Sequence, residues 1–214
     1  MADLTSGHTY ANSAIPAWNS AMRLGFFLII TFLIIKIRKL LEYEQATSRT
    51  DFLTGASNSR SFYESLKVEA GRSARSGRPY SVAYIDVDNF KTVNDTRGHS
   101  IGDELLLAVS STVRQTTRSQ DIVARLGGDE FAVLLPETSG AQVRPAADKI
   151  REQLLGLARQ HQWPVTFSIG VVTCNGLCDP DEIVRQADYL MCEVKRTGKN
   201  SIAYGTYTKE ISGP

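Results

Sequence analysis

The chain has 214 residues, 42% of them apolar, with 16 glycines and a formal charge of +1 from 24 basic and 23 acidic side chains. This is a globular composition, which excludes a disordered chain, and a near-zero charge argues against a protein that holds nucleic acid by neutralising phosphates. Three cysteines, Cys174, Cys178 and Cys192, are too few and too uneven for a disulfide framework, so reduced thiols in a cytoplasm-like compartment are expected. Cys174 and Cys178 resemble half of a metal site, but no second pair or nearby histidine completes it.

The first fifty residues differ from the rest. Leu24 to Ile35 is uncharged and almost wholly apolar, and Lys36, Arg38 and Lys39 follow at once. That run alone is short of the roughly 20 residues a membrane span needs. Extended back to Pro16 it reaches the length, with Arg23 near one end, placed to snorkel, and Trp18 at the depth of an interfacial belt. A cleavable signal fits poorly, because a basic cluster follows the apolar run instead of a small-x-small cleavage site. The expectation is a single membrane helix with its C-terminal side in the cytoplasm by the positive-inside rule. Ile37, Leu40, Leu41 and Glu44 continue at helical spacing toward Ser48, as an amphipathic connector or a stalk that pairs two protomers.

Ser81 to Val87 predicts a strand apolar enough to be buried on both faces. Asp103 to Thr117 predicts a helix with Leu106, Val109 and Val113 on one stripe. Asp121 to Leu126 and Phe131 to Leu135 predict two strands joined through Gly127-Gly128-Asp129-Glu130, a hairpin signal. Ala141 to His161 is helical through Ala147, Ile150, Leu154 and Leu157, and Val165 to Thr173 is another strand. Asp179-Pro180-Asp181-Glu182 opens a helix with an N-cap Asp, a first-turn Pro and a capping-box Glu; Gly198 ends it. Ser201 to Tyr204 is a last short strand, and the end at Ser212 reads as frayed. The order β-α-α-β-β-α-β-α-β predicts an α/β (α+β) domain with a central mixed sheet of about five strands flanked by helices.

Two acidic clusters stand out. Asp86 falls where the buried strand runs out, in Tyr84-Ile-Asp86-Val-Asp88, and Asp129-Glu130 follows two glycines on a turn. Adjacent like charges on a turn are a poor structural choice without a counter-ion, and glycines let a phosphate or base approach the backbone. If the strands are neighbours, Asp86, Asp129 and Glu130 converge on one edge, and three hard oxygen ligands favour Mg²⁺ or Mn²⁺ over zinc. By pattern alone this is a metal-assisted phosphoryl or nucleotidyl transfer site. The blander reading is that acidic residues on such turns merely solvate them.

Arg125-Leu-Gly127-Gly128-Asp129-Glu130-Phe131 resembles the signature of the GGDEF family, the diguanylate cyclases. Asp51-Phe-Leu-Thr-Gly55, Asp86-Val-Asp88-Asn-Phe90-Lys91-Thr-Val-Asn94-Asp95, Gly98-His99-Ser-Ile-Gly102-Asp103, Ser168-Ile-Gly170 and Ala187-Asp188…Lys195…Gly198-Lys199-Asn200 follow in the family's order. The resemblance covers Asp51 to Tyr204. Departures are few: Ala56 and Ser59 replace larger apolar and basic residues, and Cys192 stands where an aromatic is usual.

The resemblance implies a nucleotide-cyclase or polymerase-palm-like GGDEF fold that condenses two GTP molecules to cyclic di-GMP and two pyrophosphates across a homodimer. Two Mg²⁺ or Mn²⁺ ions per active site would be held by Asp86, the Val87 carbonyl, Asp129 and Glu130. Asp129 would accept the 3′-hydroxyl proton, and Lys91 would stabilise transition-state charge. Asn94 and Asp103 would read guanine with help from His99, and Lys195 and Lys199 would grip the phosphates. Arg118 and Asp121 resemble the family's inhibitory site for its product. Without the family, Asn94, His99 and Asp103 are ordinary loop polar groups, and the two lysines simply complement a helix dipole.

The expected organisation is an N-terminal segment with the membrane helix (1–37), a helical linker (38–50), a catalytic domain (51–205) and a tail (206–214). The chain is expected in the inner membrane, single-pass, with the catalytic domain cytoplasmic and no nucleic-acid partner. The rival expectation is an inactive GGDEF module serving as a nucleotide receptor or dimerisation domain.

Overall fold

The computed structural model describes residues 14–207, with side chains described for residues 18–38 and 48–207. The connector positions Leu40, Leu41 and Glu44 and the end at Ser212 lie outside the described side chains. The described residues form two units, divided between Ser48 and Arg49.

The first unit is one helix, α1 (Ala14–Thr47). Its segment Trp18–Arg38 is 21 residues long with a mean hydropathy of 2.0, and none of its side chains is buried. At 1.5 Å per residue it is about 30 Å long, the thickness of a hydrocarbon core. The Thr31 hydroxyl donates to the Phe27 carbonyl at 2.8 Å, so this polar group is satisfied within the helix.

The second unit runs β1 (Ser57–Asn58), α2 (Ser59–Ser76), β2 (Tyr80–Asp88), α3 (Phe90–Arg97), α4 (His99–Thr116), β3 (Ile122–Gly127), β4 (Glu130–Leu135), α5 (Gly140–Gln160), β5 (Thr166–Cys174), α6 (Pro180–Arg196) and β6 (Ile202–Tyr207). The six strands make one mixed sheet in the order β1-β3-β4-β2-β5-β6. The expected five strands are β2 to β6. The sixth, β1, is two residues long and pairs parallel with β3, too short to carry a periodic signal. β2 is central and antiparallel to both β4 and β5.

Helices cover both faces, which is why all nine residues of β2 are buried. On one face Ala83, Ile85 and Val87 pack with Leu105, Leu106, Val109 and Val113 of α4 and Ile150 and Leu154 of α5. On the other, Tyr80, Val82 and Tyr84 pack with Phe62 and Leu66 of α2 and Ile183, Ala187 and Met191 of α6. α6 lies very close to β5 at Gly170. A Cβ there would overlap the Ala187 carbonyl oxygen and lie 2.5 Å from the Met191 nitrogen.

Two sequence expectations are corrected. The capping box expected at α6 is found at α5 instead, where the Gln142 side-chain oxygen accepts from the Ser139 backbone N–H at 2.9 Å. At α6, Asp179 caps the Asp181 N–H as expected, but the Glu182 carboxylate is taken by Arg185 and Gln186. The cysteines are also not three free thiols. Cys174 and Cys178 form a disulfide across the β5–α6 loop, with Cα atoms 6.2 Å apart, and Cys192 is free. That loop brings the two positions within the ordinary bridging range, which counting cysteines does not reveal.

Candidate active site

Alternation along β2 puts Asp86 and Asp88 on the same face as Tyr84, at the strand end where the apolar run stops. The β2–β4 register sets Asp86 opposite Glu130. The Val87 N–H donates to the Asp129 carbonyl at 3.3 Å, which closes the turn against the strand end. Thus the two acidic clusters lie side by side at one edge. Gly127-Gly128 makes the turn through a bulge, with Gly128 at φ +46°, a left-handed conformation that glycine adopts without cost.

Each carboxylate has its own environment. Asp86 is buried (3% exposed) and accepts from Lys195 Nζ at 2.9 Å. Burial pushes the Asp86 pKa up; the Lys195 hydrogen bond opposes this, while Asp129 and Asp88 add like charge. For Lys195, burial opposes the charge, but the hydrogen bond and attraction from Asp86 outweigh it and its pKa is raised. Asp88 is committed to structure: it accepts from Thr166 Oγ1 (2.7 Å), Ser168 Oγ (2.8 Å) and the Asn200 N–H (3.2 Å). Glu130 Oε2 accepts from the Tyr84 hydroxyl at 2.9 Å. Burial, then this bond to Glu130, raises the Tyr84 pKa.

Arg125 positions the turn. Its Nε and Nη2 donate to the Gly128 carbonyl at 2.8 and 2.6 Å, and its Nη1 to Asp51 Oδ1 at 3.2 Å. Burial works to raise the Asp51 pKa, but hydrogen bonds from Thr54 and the Arg125 guanidinium hold it below the usual carboxylate range. The Arg125–Asp51 pair links residues 74 apart in sequence. Each lies in its own sequence motif, and no short-range pattern joins them.

The other candidates surround this edge or lie apart from it. Lys91 and Asn94 are on α3, while His99 and Asp103 are on α4; all but Asn94 are exposed. Asn94 Oδ1 is buried and has no hydrogen-bond partner among the described residues. It lies against Gly102, where a Cβ would strike Oδ1 and lie 3.0 Å from Cγ. Lys199 falls beyond the end of α6, and its Nζ donates to Asn89 Oδ1 at 2.9 Å. Arg118 and Asp121 form a separate turn between α4 and β3: the Arg118 N–H donates to Asp121 Oδ2 at 2.8 Å. Burial raises the Asp121 pKa against the opposing Arg118 bond and charge. The two residues line grooves of about 350 and 320 Å³. A larger groove of about 960 Å³ between α4 and α5 holds none of the candidate residues.

Among the described residues no three His, Cys, Asp or Glu side chains form a ready-made metal cluster. The donor chemistry nevertheless fits a hard divalent cation: the strand end and turn offer carboxylate and backbone oxygens. Asp86 already holds a cation there, the Lys195 ammonium.

The family model for the diguanylate cyclase GGDEF domain matches residues 48–201. The diguanylate cyclase DosC of Escherichia coli K12 is 36% identical over 193 residues, 86% of this chain and 42% of DosC. The chain therefore spans less than half the length of this curated relative. Among solved structures, diguanylate cyclase SiaD of Pseudomonas aeruginosa, crystallised with its activator SiaC, superposes with a TM-score of 0.68 at 30% identity, covering 88% of this chain and 74% of SiaD. The GGDEF domain of DgcB from Caulobacter crescentus, in complex with c-di-GMP, gives 0.67 at 25% identity, covering 73% of this chain and 95% of that one. With its glycine turn set beside a buried strand-end aspartate and its profile matched over most of its length, the chain belongs to the diguanylate cyclase GGDEF-domain family.

Proposed function

We propose that the chain is an active diguanylate cyclase that joins two GTP molecules into cyclic di-GMP with release of two pyrophosphates. The observation that carries this is the register of Asp86 against Glu130, which sets both acidic clusters at one sheet edge with a lysine already on the buried acid.

Asp86, the Val87 carbonyl, Asp129 and Glu130 would hold Mg²⁺ or Mn²⁺. Such ions, when bound, neutralise triphosphate charge and activate the attacking hydroxyl. Lys195 leaves Asp86 for the phosphates when nucleotide arrives, joined there by Lys199. Lys91 stabilises the charge that develops on the phosphates in the transition state. Asn94 and Asp103, assisted by His99, read the guanine edge. The Asn94 amide can both donate and accept, while the Asp103 carboxylate suits a base that offers adjacent N–H donors, as guanine does and adenine does not. Asp129 takes the 3′-hydroxyl proton as that oxygen attacks the α-phosphorus of the GTP held by a second protomer. Arg118 and Asp121 bind the accumulated product and inhibit.

We take residues 51–205 as the catalytic domain, with its last strand running on to Tyr207, 1–37 as the anchor-bearing segment, 38–50 as linker and the residues beyond β6 as tail. The Trp18–Arg38 helix supports a single-pass inner-membrane anchor, and the basic cluster at its end supports a cytoplasmic catalytic domain.

The test is direct. The full chain in detergent, given GTP and Mg²⁺ or Mn²⁺, should yield cyclic di-GMP, and Asp129→Ala or Glu130→Ala should abolish turnover without loss of fold. An inert wild type in a demonstrably dimeric preparation would overturn the catalytic reading in favour of a nucleotide receptor.

A further inference from the structure

Tyr84 sits two residues before Asp86 on β2 and shares its face of the sheet. Its strand neighbours across β4 and β5 are Ala132 and Gly170, and the space over Gly170 is taken by the α6 backbone at Ala187 and Met191. The residue is buried, and its hydroxyl donates to Glu130 Oε2 at 2.9 Å. Glu130 is half-buried at the start of β4, next to the bulged glycine turn.

A glutamate has three side-chain torsions, and freezing them costs rotamer entropy each time it binds a cation. A donor fixed in the core can impose that order beforehand. A phenylalanine would fill the same space, so packing alone does not account for the hydroxyl.

We infer that Tyr84 is a positioning residue: its O–H holds one oxygen of the Glu130 carboxylate and leaves the other for the divalent cation. This rests on the reading of Asp86, Asp129 and Glu130 as cation ligands. It adds a core residue that orients one of them from behind. The competing account runs in the opposite direction, with Glu130 serving only to satisfy a buried hydroxyl. On that account, removing the hydroxyl frees a half-exposed carboxylate and leaves cation affinity unchanged.

Tyr84→Phe separates the two. The full chain in detergent is titrated with Mn²⁺, and bound metal is followed by electron paramagnetic resonance, with thermal unfolding recorded in parallel. Outer partners of metal ligands are typically worth about 10- to 100-fold in affinity. Tyr84→Phe should therefore weaken Mn²⁺ binding by about that factor, with the unfolding midpoint held within a few degrees. The Mg²⁺ concentration for half-maximal turnover should rise in step. In a Glu130→Ala background, Tyr84→Phe should change Mn²⁺ affinity less than twofold, because the residue acts only through that carboxylate. Equal Mn²⁺ affinity in wild type and Tyr84→Phe overturns the inference while leaving the cyclase reading intact. So does a full effect of Tyr84→Phe in the Glu130→Ala background. A wild type that binds no Mn²⁺ overturns both together.

Discussion

Replacing Gly170 with alanine tests whether the approach of α6 to β5 sets up the site. The added Cβ would overlap the Ala187 carbonyl oxygen, lie 2.5 Å from the Met191 nitrogen and 3.0 Å from the Ala187 carbonyl carbon. These are backbone atoms and cannot rotate away. Restoring ordinary separations of about 3.5 Å requires α6 to retreat by about 1 Å or more. The retreat loosens Ile183, Val184, Ala187, Met191 and Val194, all buried on α6. Overpacking of this kind costs about 3 kcal/mol at the upper end of its usual range. At about 2–4 °C per kcal/mol for a domain of this size, the midpoint should fall by about 6–12 °C. Activity should fall further than stability, because α6 also carries Lys195, and about 1 Å of misplacement at a reacting centre can cost about 100-fold. Gly205→Ala is the control. Its Cβ would meet Leu190 Cδ1 at 2.9 Å, the far end of a flexible side chain, so the cost should stay below about 1.5 kcal/mol. Thermal unfolding and cyclic di-GMP formation are measured on both variants. If Gly170→Ala matched Gly205→Ala in midpoint and turnover, α6 would not be held as described.

Tyr80 is fully buried, and its hydroxyl has no partner among the described residues. Burial, aided by Glu69, Asp179 and Tyr207, pushes its pKa up to about 12. The unfolded phenol ionises first, near pH 10, so stability holds below that and falls between about pH 10 and 12. Tyr80→Phe should stabilise by about 1 kcal/mol at pH 8 and flatten the alkaline decline, as read from urea midpoints at pH 8 and 11. A variant less stable at pH 8 would mean the hydroxyl is satisfied after all. Arg118→Ala should remove inhibition by added cyclic di-GMP while keeping the α4–β3 turn, since the bond to Asp121 comes from the Arg118 backbone. Inhibition at the same product concentration would refute the inhibitory site.

Much of the architecture was legible because its signals are local. β2 reads as a doubly buried strand, the glycine turn as a hairpin, and Asp179-Pro180 as a helix start, and each stands within a residue or two of its expected place. α2 carries a weaker signal: Phe62, Leu66 and Ala70 are its buried apolar residues, scattered among polar neighbours over 18 positions. What periodicity could not show were partners joined only by folding. Tyr84 reads as one more apolar strand position until β4 brings Glu130 beside it. Lys195 reads from the sequence as a phosphate ligand; folding sets its ammonium on the buried Asp86 carboxylate, 109 positions away.

The Lys195–Asp86 pair also has a consequence for synthesis. The two residues are 109 positions apart, so at about 5–20 residues per second the ribosome makes the acid about 5–20 s before its lysine. For most of that interval β2 lacks β5, its antiparallel neighbour, and for all of it Asp86 lacks the cation that accompanies it in the finished domain. A nascent chain therefore cannot seal this carboxylate in the interior as an ion pair. The acidic edge must stay wet or protonated until α6 emerges, which makes closure of the catalytic edge one of the last events in the domain's assembly.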